Sequence, residues 1–155
     1  MAKSLSFLYL ASIIFGADRL SKGLIMDRLP EGTNVPLIFF FHLTRVNNTG
    51  AAFGIFRDSG GLLVATSVFC IGLLCVMILR RQSSLTSVAT SLILGGALGN
   101  LYDRLLYGYV VDFLDFRVWP VFNVADSAIS VGIFLIFLEI FLRKKKDSSG
   151  ASHSV

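Results

Sequence analysis

Residues Gly60 to Leu79 read GGLLVATSVFCIGLLCVMIL, 20 residues without a charge, closed by Arg80 and Arg81. As a helix rising 1.5 Å per residue this run is about 30 Å long, the thickness of a bilayer's hydrocarbon core. A second uncharged run, of 21 residues, follows from Gln82 to Tyr102. The two runs predict spanning helices over about 60–79 and 84–106. A further apolar segment lies on each side, over about 5–26 and 122–142, and these two are interrupted by charges: Asp18, Arg19 and Lys22 in the first, Asp126 and Glu139 in the last. The expected fold is an all-α membrane protein of four transmembrane helices.

Composition agrees. The 155 residues are 54% hydrophobic and 15% charged, more apolar than a soluble domain at about 45–50%. A net charge of +4 would suit nucleic acid if it lay along one face, but Lys3, Arg80, Arg81, Arg143, Lys144, Lys145 and Lys146 fall at helix ends, so no nucleic-acid partner is expected. Cys70 and Cys75 lie about 140° apart around a helix, which excludes a disulfide between them and leaves them as apolar packing atoms. With no CxxC motif and only His42 and His153 as imidazoles, no zinc site is expected. No small-x-small pair follows the first apolar run near Phe15 to Asp18, so that run reads as a retained helix and not a cleaved leader.

Four spans put both termini on one side. That side carries seven basic and two acidic residues, net +5; the other carries seven basic and eight acidic, net −1. The termini are therefore expected in the cytoplasm of a bacterial inner membrane. The segment 27–59 is then an outer loop, opening on turn chemistry at Pro30 to Thr33 and continuing through the β-prone run Val35 to Val46. It reads as a small β-rich domain resting on the membrane, with Phe39, Phe40 and Phe41 in lipid or over the bundle. Tyr107 to Val121 is a short second outer loop. Residues 1–146 form one domain and 147–155 a disordered cytoplasmic tail.

Polar residues within or beside the spans are costly unless paired, and nearly all lie at one depth, the outer boundary. Asn100, Asp103 and Arg104 share a face of the third helix, and Asn123 and Asp126 share a face of the fourth. Gly95, Gly96 and Gly99 precede the first group and permit close approach of another backbone; for Gly95 helix packing is the favoured reading. Two carboxylates from separate elements in a low-dielectric site tend to share one proton, which suits peptide hydrolysis, and Asp112 and Asp126 are the candidate pair. Arg104 reads equally as a structural partner of Asp103 or as a substrate ligand.

Five blocks then carry a resemblance. Asp18 followed by Lys22, Asn48-Thr49-Gly50-Ala51-Ala52-Phe53, Gly99-Asn100-Leu101-Tyr102-Asp103-Arg104, Val110-Val111-Asp112-Phe113-Leu114-Asp115 and Phe122-Asn123-Val124-Ala125-Asp126-Ser127, in that order, resemble the motif blocks of the lipoprotein signal peptidase family, also called signal peptidase II. The resemblance covers nearly the whole chain except the tail. It implies an aspartic endopeptidase that removes signal peptides from diacylglyceryl-modified prolipoproteins, cutting just before the lipidated cysteine at the membrane's outer face. It implies Asp112 and Asp126 as the catalytic pair, supported by Asp18, Lys22, Asn48, Gly50, Gly96, Asn100, Arg104 and Asn123. It implies no metal or other cofactor, and a monomer whose partners are prolipoprotein and membrane phospholipid. The stretch from Phe116 to Val121 is shorter than in many members, which bears on substrate selectivity at that rim.

Other classes of function compete. A transporter or proton relay would also use membrane carboxylates, but its site would lie near the midplane on broken helices. A phospholipid-type transferase would use Asp103, Asp112, Asp115 and Asp126 to hold Mg²⁺. A Ser/Lys peptidase on Ser21 and Lys22 would need adjacent helical residues, about 100° apart, to meet.

Overall fold

The computed structural model describes residues 2–50, 60–80 and 83–151. Along the chain these form α1 (Ala2–Arg28), β1 (Asn34–Ile38), β2 (Phe41–Asn48), α2 (Gly60–Leu79), α3 (Ser84–Tyr107), β3 (Val110–Asp115) and α4 (Val124–Ala151). Gly60–Ile78, Ser84–Tyr107 and Val124–Lys144 are each long and apolar enough to cross a membrane. At 27 residues α1 has the length as well, but Asp18, Arg19 and Lys22 dilute its apolar character.

The bundle is apolar outside, and most of its buried charged residues gather inside at one end. Leu20, Leu24, Phe69, Leu73, Phe134 and Phe137 are exposed on helix faces, whereas Asp18, Lys22, Asn100, Asp103, Asp112 and Asn123 are buried. Lipid in place of water makes that inversion favourable, since apolar side chains lose nothing by facing acyl chains. Cys70 and Cys75 are free and exposed on α2, so these apolar thiols face outward and not into the bundle.

At the centre, α3 packs against all three other helices. Small residues make this possible: a Cβ at Gly95 would lie 2.6 Å from the Ala11 carbonyl oxygen of α1, and one at Gly96 would lie 2.5 Å from the Ala125 carbonyl oxygen of α4. Gly95 thus serves helix packing, as expected. Ser83 caps the start of α3 by accepting from the Thr86 amide at 3.1 Å, and Gly108 ends the helix with φ 77°, the left-handed conformation that glycine adopts without strain. At that start, remote from the polar cluster, Glu139 of α4 accepts from the Thr86 hydroxyl and from Arg143 Nε at 2.9 Å.

The loops do more than the sequence indicates. The β-prone run divides into a hairpin that turns at Phe39 and Phe40, and the second outer loop supplies a third strand, giving an antiparallel sheet of order β1-β2-β3. β3 is buried on both sides: Val111 and Phe113 face a cluster with Ile25 at the end of α1, and Val110 and Asp112 are buried on the opposite side. Asn34 pairs with Thr44 across β1 and β2, and Val46 pairs with Asp112 across β2 and β3. The other difference is at the end of the chain. α4 begins at Val124 and runs to Ala151, past the boundary at 142 and into the stretch read as a disordered tail; Arg143 to Asp147 contain no helix breaker, so the backbone pattern continues.

Candidate functional site

The polar cluster is built from the late turns of α1 and α3 and the first turn of α4, and is closed by the sheet. On α1, Asp18 and Lys22 are one turn apart and both wholly buried, with Lys22 Nζ 3.0 Å from Asp18 Oδ2. Lys22 Nζ also reaches Asp103 Oδ2 at 2.9 Å and donates to Asn100 Oδ1 at 2.8 Å. Arg19 bridges the same two carboxylates, at 2.8 Å to Asp18 and 2.5 Å to Asp103, with its guanidinium over the Tyr102 ring. Two cations facing two carboxylates make this buried group neutral, which is what a low-dielectric setting requires.

From that group hydrogen bonds run to the candidate pair. Asn100, oriented by Lys22 on its oxygen, donates through Nδ2 to Asp126 Oδ1 at 2.7 Å. Asn123 caps α4: its Oδ1 accepts from the Asp126 amide at 2.9 Å while Asp126 Oδ2 accepts from the Asn123 amide at 3.3 Å. This reciprocal arrangement is a capping box with aspartate as its acid. The Asn123 side chain then donates to Asp112 Oδ1 at 2.6 Å, and Asn48 donates to Asp112 Oδ2 at 2.8 Å. One asparagine therefore touches both carboxylates, and the Asn123 and Asn100 amides are themselves joined at 3.2 Å.

Sheet register explains how Asn48 arrives. Val46 lies opposite Asp112, and residues two apart share a face of a strand, so Asn48 reaches Asp112 diagonally. Gly50 sets the direction of the amide: its N–H donates to Asn48 Oδ1 at 2.9 Å, which leaves Nδ2 for Asp112. Gly50 has φ 93° and lies against Leu63, so a side chain there would be both strained and obstructed.

Burial pushes the Asp112 carboxyl up to about 7; the amides of Asn48 and Asn123 pull against this, while the nearby charge of Asp126 adds to it. Asp115 behaves oppositely. Although burial raises it, donation from Thr44 and from the Arg117 backbone and guanidinium holds its carboxyl below the usual range. Two aspartates in one strand thus have opposed tendencies, one toward keeping a proton and one toward remaining ionised.

Each residue singled out in the sequence has a definite place. Asp18, Lys22, Asn48, Asn100, Asp112, Asn123 and Asp126 join in one hydrogen-bonded network; Asp18 also accepts from the Ala125 amide at 3.1 Å, a second cap on α4. Gly96 and Gly50 adjoin the network through backbone. Arg104 is not the partner of Asp103, whose oxygens are taken by Arg19, Lys22 and the Val111 amide. It forms no ion pair among the described residues and lines a cavity of about 250 Å³ with Thr49, Gly60 and Leu63. Sequence reasoning left Arg19 and Asp103 out of the site; their signal was present in the burial cost of any charge at that depth. Ser21 bonds the Asp18 carbonyl while Lys22 is engaged elsewhere, so no Ser/Lys pair forms. Nor do the four aspartates gather as one ligand set, since Asp103 and Asp115 are held in separate ion pairs.

Helices fit for a bilayer, closed around two carboxylates that share an amide bridge, define a membrane-integral protein with a site suited to acid and base chemistry. Residues 10–142 match the family model described as signal peptidase (SPase) II. Among curated relatives, the lipoprotein signal peptidase of Halothermothrix orenii is 43% identical over 86% of this chain and 93% of its own length. That of Desulfitobacterium hafniense is 45% identical over 87% and 92%. A bacterial membrane enzyme solved by the in meso method superposes with a TM-score of 0.84 at 29% identity, covering 97% of this chain and 93% of that one. The chain belongs to the signal peptidase II family of proteases, which process lipoprotein signal peptides.

Proposed function

We propose that the chain is an aspartic endopeptidase of the bacterial inner membrane that cuts diacylglyceryl-modified prolipoproteins just before the lipidated cysteine, with Asp112 and Asp126 as its catalytic pair. The observation that carries this reading is the bridge from Asp112 through Asn123 to Asp126, inside a cluster otherwise neutralised by ion pairs. With Arg104 counted, four carboxylates face three cations, so a single proton shared by the pair balances the site. Asp112 holds that proton near neutral pH and Asp126 takes one from a water. The water oxygen bonds to the scissile carbonyl carbon while Asp112 protonates the carbonyl oxygen. As that intermediate collapses, its hydroxyl returns a proton to a carboxylate, the carbon–nitrogen bond breaks, and the proton held on Asp126 passes to the departing amine. Arg104, which forms no ion pair among the described residues, holds ester or backbone oxygens of the substrate, and Asn48 supports Asp112. No metal or cofactor is needed for these steps. Purified protein should cleave a synthetic diacylated lipobox peptide equally with and without chelator; loss of cleavage in EDTA, restored by Mg²⁺, would promote the transferase reading.

Four spans with both termini in the cytoplasm put the sheet and the pair at the outer face, in line with the net charges of +5 and −1. On a background lacking Cys70 and Cys75, a cysteine at Ser83 should be reached by membrane-impermeant reagents only from inside. Labelling from the outer side would overturn the topology.

The pH profile should depend on Asn48. The singly protonated pair persists up to about pH 7, the value to which Asp112 is pushed, and activity should fall as pH rises through it. The Asn48 amide favours the ionised carboxylate, so Asn48→Ala should raise the Asp112 value further and move the alkaline limb to higher pH. A shift to lower pH would contradict the assignment of the proton to Asp112.

A further inference from the structure

A groove of about 500 Å³ opens beside the site, lined by Phe116, Trp119, Phe122, Asp126, Ser130 and Val131. Asp126, Ser130 and Val131 line it from successive turns of α4, and Val131 is 51% and, one turn on, Phe134 64% exposed on that helix's apolar outer face. Its lip is the stretch between β3 and α4. The base of that stretch is closed by backbone bonds: Leu114 donates to the Phe122 oxygen at 2.8 Å and Phe122 donates back at 3.1 Å. Phe116 stacks on Phe122 with ring centroids 5.8 Å apart. Arg117 is the one described residue other than glycine with positive φ, 65°; Asp115 sustains that turn by accepting from the Arg117 amide at 2.8 Å, and is itself tied to Thr44 of β2 at 2.7 Å. The lip is thus held in place before any substrate arrives.

We infer that this groove receives one acyl chain of the substrate's diacylglyceryl group, and that Trp119 and Val131 set the chain length the enzyme prefers. The inference rests on the proposed function. When the scissile bond lies at Asp126, only the cysteine's own Cα and Cβ separate the scissile nitrogen from the thioether, so the attached lipid must leave the site beside that carboxylate. Among the described residues, the groove is an apolar surface that Asp126 itself lines. Its size excludes the other apolar part of the substrate: a helix with side chains is about 10–12 Å across and rises 5.4 Å per turn, so the volume would hold roughly one turn of a signal peptide. A single extended acyl chain fits and can continue along the exposed phenylalanines of α4 into the leaflet. The lip made by 116–121, whose shortness the sequence singled out, thereby becomes a determinant of lipid selectivity.

The test compares lipobox peptides carrying two octanoyl or two palmitoyl chains, cleaved by purified protein in detergent under single-turnover conditions. Val131→Trp fills the groove and should lower kcat/KM for the palmitoyl peptide at least tenfold more than for the octanoyl peptide. Trp119→Ala, in an exposed loop where misfolding is not a concern, should reduce the wild-type preference for the longer chain about threefold. Val76→Trp, the same change on the exposed face of α2, should leave the ratio as in wild type. Equal losses for both peptides in Val131→Trp, or an unchanged ratio in both groove variants, would overturn the inference while leaving the peptidase reading intact. Failure of the wild-type protein to cleave either peptide would instead refute the peptidase reading.

Discussion

Asp112→Asn and Asp126→Asn should each lower single-turnover cleavage of a diacylated lipobox peptide by at least about 10⁴-fold, and the double variant should be little worse than either single one. A pair that alternates between base and acid works as a unit, so losing either carboxylate removes the whole exchange. The fold should survive in both. Asparagine at 112 still accepts one amide hydrogen bond where aspartate accepts from Asn48 and Asn123, and asparagine at 126 keeps an oxygen for the Asn123 amide at the start of α4. Binding of the lipidated peptide should persist. Asp115→Asn should cost about tenfold or less, the scale of a weakened hydrogen bond, because Asp115 holds Thr44 and Arg117 and is outside the amide bridge. Near wild-type cleavage by Asp112→Asn together with loss in Asp115→Asn would move the catalytic role along the strand.

The largest effect on stability should come from Lys22→Met. Lys22 is wholly buried and meets two carboxylates and an amide oxygen within 3.0 Å. Removing its charge leaves Arg19 alone against Asp18 and Asp103, and an uncompensated buried charge costs about 3–5 kcal/mol. Activity should fall with it, since Asn100 loses the contact that orients its amide toward Asp126. Adding Asp103→Leu to Lys22→Met should recover part of the stability, because one cation then faces one carboxylate; thermal unfolding in detergent measures both. If the double variant were less stable than Lys22→Met alone, Asp103 would have to be assigned a packing role independent of charge.

The helices were legible because an uncharged run of bilayer length has few other uses, and the depth of the site because charges cost too much in lipid to be scattered. Spacing also showed which residues share a helix face. It did not show which face lies opposite: Asp103 and Arg104 are neighbours in sequence, yet Asp103 turns to α1 and Arg104 to the cavity beside α2. Val110 to Asp115 was not readable as a strand because six residues, buried on both sides of the chain, leave no alternation to detect. The extension of α4 past Leu142 was missed because charge and serine content describe solubility more than backbone preference.

The contacts of Glu139 concern the chemistry although they lie at the other end of the bundle. Glu139 is 13 residues beyond Asp126 on α4, about 20 Å along the axis. There it grips the start of α3, just as Asp126 and Asn123 grip α3 through Asn100 at the near end. Two helices fastened at both extremities, with Gly132 pressed on Ala89 and Ile93 between the fastenings, can neither slide nor screw past one another without undoing all three together. The alignment of the amides on the carboxylates is therefore a property of the whole length of the helix pair, and the far fastening acts as a stop that keeps the working end in register.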